Sequence, residues 1–374
     1  MTVETQAPVT ISYKDLLARP ESLKSDIERA LGSDEGCLGV ILVKDLPEEF
    51  PELRANLFQQ SARLAALDPS SLAELESPSS SYCFGWSHGK EVMNGRPDTA
   101  KGSFYANPLL DSPNVSSDLR AQYPEYYEGN TWPSASVLPD FERDFKALGG
   151  LIAQVGIELA KACDVNGFSP TPIAPMIERS RANKARLLHY FPSTSSSSET
   201  EAEGAEGAEG AEGAEGAEGK AEGAEDDACG VHLDHSLLTG LCSAQYLSPT
   251  PNPTSPPSFD EVSPNPKAGL YIYPRQRLSP EQSEKEIGLA LKGKSSVAPV
   301  KVSIPKDCLA FQTGEALSVL TQGRLSATPH FVASGRQSSS RETFAFFLQP
   351  DVGDDLGGET FGEFTKRILK RHYA

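Results

Sequence analysis

A chain of 374 residues is long enough for one large domain or two ordinary ones, and none of its apolar runs reaches the length of a membrane span. Its net charge of −18 excludes the basic face of a nucleic-acid binder and gives an anionic membrane surface nothing to attract. The charge is uneven: residues 199–227 hold twelve Asp/Glu against one Lys, so the remainder is only mildly acidic.

The six cysteines (37, 83, 163, 229, 242 and 308) show no C-x-x-C spacing, which argues against a zinc ribbon or a disulfide framework. Met1 to Ser12 lacks the basic and apolar regions of a secretory signal. The expectation is a cytoplasmic, monomeric protein with reduced thiols.

In chain order, Pro20 to Leu31 reads as a helix, with Leu23, Ile27 and Leu31 on one face and Gly32 as its stop. Cys37 to Val43 is a short apolar run, the signature of a buried strand. Pro47 to Leu67 returns to helical spacing. Residues 76–136 read as irregular, a loop long enough to suggest an active-site lid. Pro139 opens the clearest helix, in which Phe141, Phe145, Leu148, Ile152, Val155 and Leu159 recur at steps of three and four.

From Ala185 the pattern changes to short strands: Arg186–Phe191, Val231–Leu233, Gly240–Leu247, Gly269–Tyr273, Lys301–Ile304, Cys308–Gln312, Ser318–Leu320, Ala327–Val332 and Thr343–Leu348. A helix from Phe361 to His372 follows. Many short strands after a helical first half predict a mostly β protein, an antiparallel sandwich or barrel with flanking helices. The expected division is a mixed segment over 1–150 packed on a core over 151–374. Two inserts interrupt that core. Residues 193–227, a Ser run and an Ala-Glu-Gly repeat, have no apolar face to bury and are expected to be disordered. Residues 248–267, with seven prolines, read as a second loop.

The chemistry concentrates in Gly230-Val231-His232-Leu233-Asp234-His235. A strand puts residues i and i+2 on one face, so His232 and Asp234 can aim at one point. Two histidines and a carboxylate, with other positions open, are how an oxygenase holds iron(II). The second histidine is His330, after a Thr321-Gln322-Gly323 segment that reads as a tight turn between two strands. Arg341 and Thr343 then share a strand face. The guanidinium fork and a neighbouring hydroxyl suit a dicarboxylate whose other end lies on the metal.

These stretches together resemble the isopenicillin N synthase-like family of Fe(II)/2-oxoglutarate-dependent dioxygenases. The likeness runs through CLGVILVKDLPEEF, RLLHYFP, HLDHSLLTGL, AGLYI, the run from Gln312 to Val332, and RETFAFFLQP, in family order and over nearly the whole chain. SYCFGWSHGKE and GRPDTAKGSFYANP resemble a eukaryotic branch of it. The resemblance implies a double-stranded β-helix (jelly-roll) core. It implies iron held by His232, Asp234 and His330, and 2-oxoglutarate held by Arg341 and Thr343. It also implies oxidation of a small-molecule substrate by dioxygen, with release of succinate and carbon dioxide, and it admits ascorbate as a reductant.

The departures are specific. Thr343 stands where the family usually has Ser. The spacing from His330 to Arg341 is about one residue longer than common, which makes Arg336 a rival anchor. Phe191 stands where many members have a Tyr that touches the co-substrate, and His189 where many have Asn. His235 is expected to point away from the metal. His88 reads as a solvated loop residue, and Tyr82, Trp86 and Phe104 as either pocket cover or core. Two other readings stay open: a silent relative acting as a binding protein, and an iron oxidase that does not use 2-oxoglutarate.

Overall fold

The computed structural model describes residues 5–93, 96–193, 227–251, 256–278, 280–333, 335 and 337–373. The acidic insert falls outside them but for its two end residues, and so does Arg336. Two large sheets with flanking helices, and a two-stranded ribbon of Val92–Met93 and Arg96–Pro97, make up the fold of the described residues. The larger runs in the order Val9–Ser12, Val40–Lys44, Leu309–Thr313, Leu238–Cys242, Ser340–Leu348, Lys184–Tyr190, Lys101–Ala106, Gly85–His88, with Gln245–Pro249 and Phe259–Glu261 attached to the start of Ser340–Leu348. The smaller runs Thr5–Gln6, Val300–Val302, Gly269–Ile272, His330–Ala333, Asp227–His232. Neighbours are antiparallel except where Thr5–Gln6 meets Val300–Val302 and Val9–Ser12 meets Val40–Lys44.

One face of the large sheet packs on helices. The helix expected from Pro139 is present as Phe141–Val165, and its six predicted core residues are all fully buried. Pro139 lies just ahead of the first turn, because Asp140 adopts a left-handed φ of 69° and turns the chain into the helix. Sheet and helix meet at glycines: a Cβ on Gly240 would stand 2.4 Å from the Ile152 side chain, and one on Gly156 would stand 2.8 Å from Leu348 and Phe311. The other face of the large sheet looks toward the small sheet. Val40, Leu42 and Ala310 pack there against Leu270, Ile272, Val300 and Val302. The large sheet draws strands from both sides of residue 150, and helix Phe141–Val165 spans that position.

Several expectations need correcting. Ser318–Leu320 is not a strand but the end of helix Glu315–Leu320, which buries Ala316, Leu317 and Leu320 at helical spacing. Thr321 to Gly323 is indeed a turn, yet it leaves a helix rather than joining two strands. Gly240–Leu247 breaks into Leu238–Cys242 and Gln245–Pro249, because the Arg54 side chain donates to the carbonyls of Ser243 and Ala244 at the break. Stretch 76–136 is not all irregular: Gly85–His88 and Lys101–Ala106 complete the large sheet. Nor is 248–267 all loop, since Phe259–Glu261 pairs with Gln245–Pro249; residues 252–255 are outside the described set. Among the described residues no helix is long and apolar enough to cross a membrane.

Candidate metal centre and its cavity

His232 ends its strand and His330 begins its own, and the two are direct cross-strand partners in the small sheet. Their rings lie 4.3 Å apart, centroid to centroid. Asp234 follows two residues later, on extended chain just past the strand, with its backbone carbonyl bonded to the Glu315 N–H. One Asp234 oxygen, Oδ1, is 3.8 Å from His232 Nε2 and 3.9 Å from His330 Nε2. These separations are too long for hydrogen bonds. They are the spacing of groups that can share an ion, and one ligand atom from each residue lies within 4.8 Å of the others.

The far nitrogens of both rings are occupied. His232 Nδ1 is 2.8 Å from the Gly230 carbonyl. His330 Nδ1 is 3.1 Å from the Thr328 carbonyl and 2.7 Å from the Gln312 amide. A carbonyl on Nδ1 fixes the tautomer that leaves Nε2 as a lone pair facing the cluster. Burial alone would raise the Asp234 pKa, but the His330 and His232 imidazoles and a hydrogen bond from Thr239 hold it below the usual carboxylate value. Burial, reinforced by neighbouring His232, pushes His330 down to about 4. At neutral pH the set is therefore one carboxylate and a neutral imidazole at His330, the forms a divalent metal needs.

The triad opens into a cavity of about 760 Å³ between the two sheets. Leu188, Leu241, Val332 and Phe347 supply an apolar wall. Arg341 and Thr343 line it on the same strand face, as expected. Arg341 is 6% exposed, and among the described residues its Nε and Nη1 have no hydrogen-bond partner. Thr343 Oγ1 is 3.4 Å from the Cys242 carbonyl. A buried guanidinium with unpartnered Nε and Nη1, in the same cavity as the two-histidine, one-carboxylate cluster, has the chemistry to receive a carboxylate.

The tyrosine of this strand that faces the cavity stands one position before Phe191. Tyr190, not Phe191, lines the cavity and pairs across the strands with Arg341. Phe191 turns away onto the His88 and His189 rings. His189 is structural: its Nδ1 is 2.8 Å from Glu342, a fully buried carboxylate that also accepts from Ser61 and Ser340. His235 points away from the cluster, 2.9 Å from Glu315. His88 is half-buried at the end of strand Gly85–His88, with Nε2 3.1 Å from the Thr99 carbonyl. Trp86 and Phe104 belong to the core, and Tyr82 carries Lys90 on its ring face. Tyr190 and Gln312 are the residues that sequence reasoning missed. The alternation of Arg186, Leu188 and Tyr190 on one strand face was the available signal for the first.

No family model matches the chain, and no curated protein is similar to it in sequence. Solved structures are similar in fold. A 2OG-Fe(II) oxygenase family protein from Caulobacter crescentus is 16% identical at a TM-score of 0.60, covering 99% of this chain and 100% of that one. A full-length Neurospora crassa protein solved in complex with alpha-KG is 16% identical at 0.57, over 92% and 86%. The dioxygenase for auxin oxidation 1 from Arabidopsis thaliana, in binary complex with 2-oxoglutarate, is 13% identical at 0.51, over 94% and 95%. At these identities the likeness is one of fold.

Proposed function

We propose that this chain is an iron(II)- and 2-oxoglutarate-dependent oxygenase that oxidises a small molecule, with its two facing sheets, to which segment 1–150 itself contributes strands, forming a double-stranded β-helix core. One observation carries the reading: a two-histidine, one-carboxylate cluster shares its cavity with buried Arg341, whose Nε and Nη1 have no hydrogen-bond partner among the described residues. The fold likeness to proteins solved with alpha-KG or 2-oxoglutarate supports the same conclusion.

His232, Asp234 and His330 fit the iron, offering two imidazole nitrogens and a carboxylate oxygen while leaving the cavity side open. Arg341 and Thr343 fit the distal carboxylate of 2-oxoglutarate. The iron with its co-substrate and dioxygen supplies the oxidising chemistry, releasing succinate and carbon dioxide while the substrate is hydroxylated or desaturated. The protein's own part is geometric. The carbonyls of Gly230 and Thr328 hold the imidazoles in the ligating tautomer. Arg341, backed by Tyr190, sets the direction of the co-substrate. Leu188, Leu241 and Phe347 exclude water from the space beside the cluster. Nothing in this scheme calls on a protein acid or base, a nucleic acid or a second copy of the chain, so the protein is expected to act as a monomer.

Calorimetric titration of 2-oxoglutarate into the protein with and without Mn(II) tests the proposal. Binding that needs the metal and is weakened roughly 10- to 150-fold in Arg341→Gln is expected. Equal binding with and without metal, or none in either case, contradicts it.

A further inference from the structure

The Gln312 side chain is fully buried on strand Leu309–Thr313, the middle of three strands, between Val40 and Thr239. It reaches to the small sheet, where its amide lies 2.7 Å from His330 Nδ1. The nitrogen end of the amide faces the ring, and Oε1 is buried with no partner among the described residues. His330 Nδ1 also lies 3.1 Å from the Thr328 carbonyl. These two contacts cannot both be favourable in that arrangement. If Nδ1 carries a proton for Thr328, the amide N–H groups oppose it. If Nδ1 is a lone pair for the amide, the Thr328 oxygen opposes it. The two ends of an amide have nearly the same shape, so hydrogen-bond logic decides between them. Turning the amide by half a rotation makes both contacts favourable, with one Nδ1 proton shared by two oxygens.

We infer that Gln312 presents its carbonyl oxygen to His330 Nδ1 and is a positioning residue for the metal centre, fixing the tautomer and ring plane that turn His330 Nε2 toward Asp234. The inference rests on the metal-binding reading of the cluster. It gives the large sheet a hold on a ligand carried by the small sheet.

The test compares Co(II) binding to the full-length protein, by calorimetry and by the Co(II) ligand-field spectrum, for wild type, Gln312→Leu and Gln312→Glu. Leu has the bulk and no acceptor; Glu has only acceptors. Leu is expected to weaken Co(II) by roughly 10- to 100-fold and alter the spectrum, and Glu to restore both. An affinity in Gln312→Leu equal to wild type overturns the inference. So does a Glu variant as weak as Leu, because the amide would then act through its nitrogen. A second measurement needs no variant at Gln312. In metal-free wild type with ¹⁵N-labelled histidine, His330 (assigned by loss of its signal in His330→Gln) is expected as the Nδ1–H tautomer, and the Nε2–H tautomer overturns the inference. Wild type that binds no Co(II) would count against the functional reading, while the tautomer still decides the role of Gln312.

Discussion

Tyr190 and Arg341 stand directly opposite each other on adjacent antiparallel strands, with the guanidinium carbon 4.9 Å from the centre of the tyrosine ring. The ring limits where the guanidinium can go and leaves its forked edge for a ligand. Removing the fork in Arg341→Gln should cost about 1.5–3 kcal/mol of 2-oxoglutarate binding, roughly 10- to 150-fold in Kd. Tyr190→Leu removes the platform beneath the guanidinium and should cost about 1 kcal/mol. Titration of the Mn(II)-loaded proteins checks both, and Mn(II) affinity should not change. A Tyr190→Leu loss as large as that of Arg341→Gln would mean that the tyrosine is a direct ligand.

The Glu342–His189 contact lies between Arg341 and Thr343 in sequence but on the opposite sheet face. His189→Ala leaves part of a fully buried carboxylate without its imidazole partner, a loss of about 1–3 kcal/mol. Urea unfolding should register that loss while 2-oxoglutarate affinity stays within about twofold. A variant of unchanged stability and impaired co-substrate binding would put His189 in the site after all.

Gly240 marks where the large sheet rests on helix Phe141–Val165, and a methyl there would collide with Ile152 and Phe311. Gly240→Ala should therefore destabilise by about 1–3 kcal/mol, the ordinary cost of overpacking a filled core. A lowered thermal midpoint checks this. An unchanged midpoint would mean that sheet and helix are less tightly opposed than the structure has them.

Glu91 braces Arg186 at the cavity wall and is also near Lys101. Burial works to raise its pKa, but Arg186 and Lys101, with a hydrogen bond from Tyr105, bring it down to about 2 from 4.5. Because the folded value is the lower one, the carboxylate's contribution is fully present above about 4.5 and is lost as pH falls toward 2. Thermal midpoints measured across that window should fall less steeply for Glu91→Gln than for wild type. Identical slopes would remove Glu91 from the acid response.

The site was more legible in the sequence than the path of the chain around it. Local order is enough to put His232 and Asp234 two residues apart at a strand end, and the six-residue stripe of the long helix carries its own period. Short segments lack that redundancy. Four residues such as Leu317-Ser318-Val319-Leu320 satisfy either period, and the helix wins because Ala316, Leu317 and Leu320 share a buried face. Strand Lys101–Ala106 was hidden because its residues, Lys, Gly and Ser among them, carry no apolar alternation; Gly102 is needed where the Trp86 ring crosses it. The choice between Tyr190 and Phe191 depended on strand register, which neighbouring strands set and two adjacent aromatics do not reveal.

The central claim is tested most directly by succinate formation from 2-oxoglutarate in protein reconstituted anaerobically with iron(II) and then exposed to dioxygen. Wild type would be compared with His232→Ala and Arg341→Ala, with no added substrate. The account predicts slow succinate release by wild type that requires iron and is lost in both variants. Iron-loaded wild type that binds 2-oxoglutarate yet forms no more succinate than His232→Ala would contradict it.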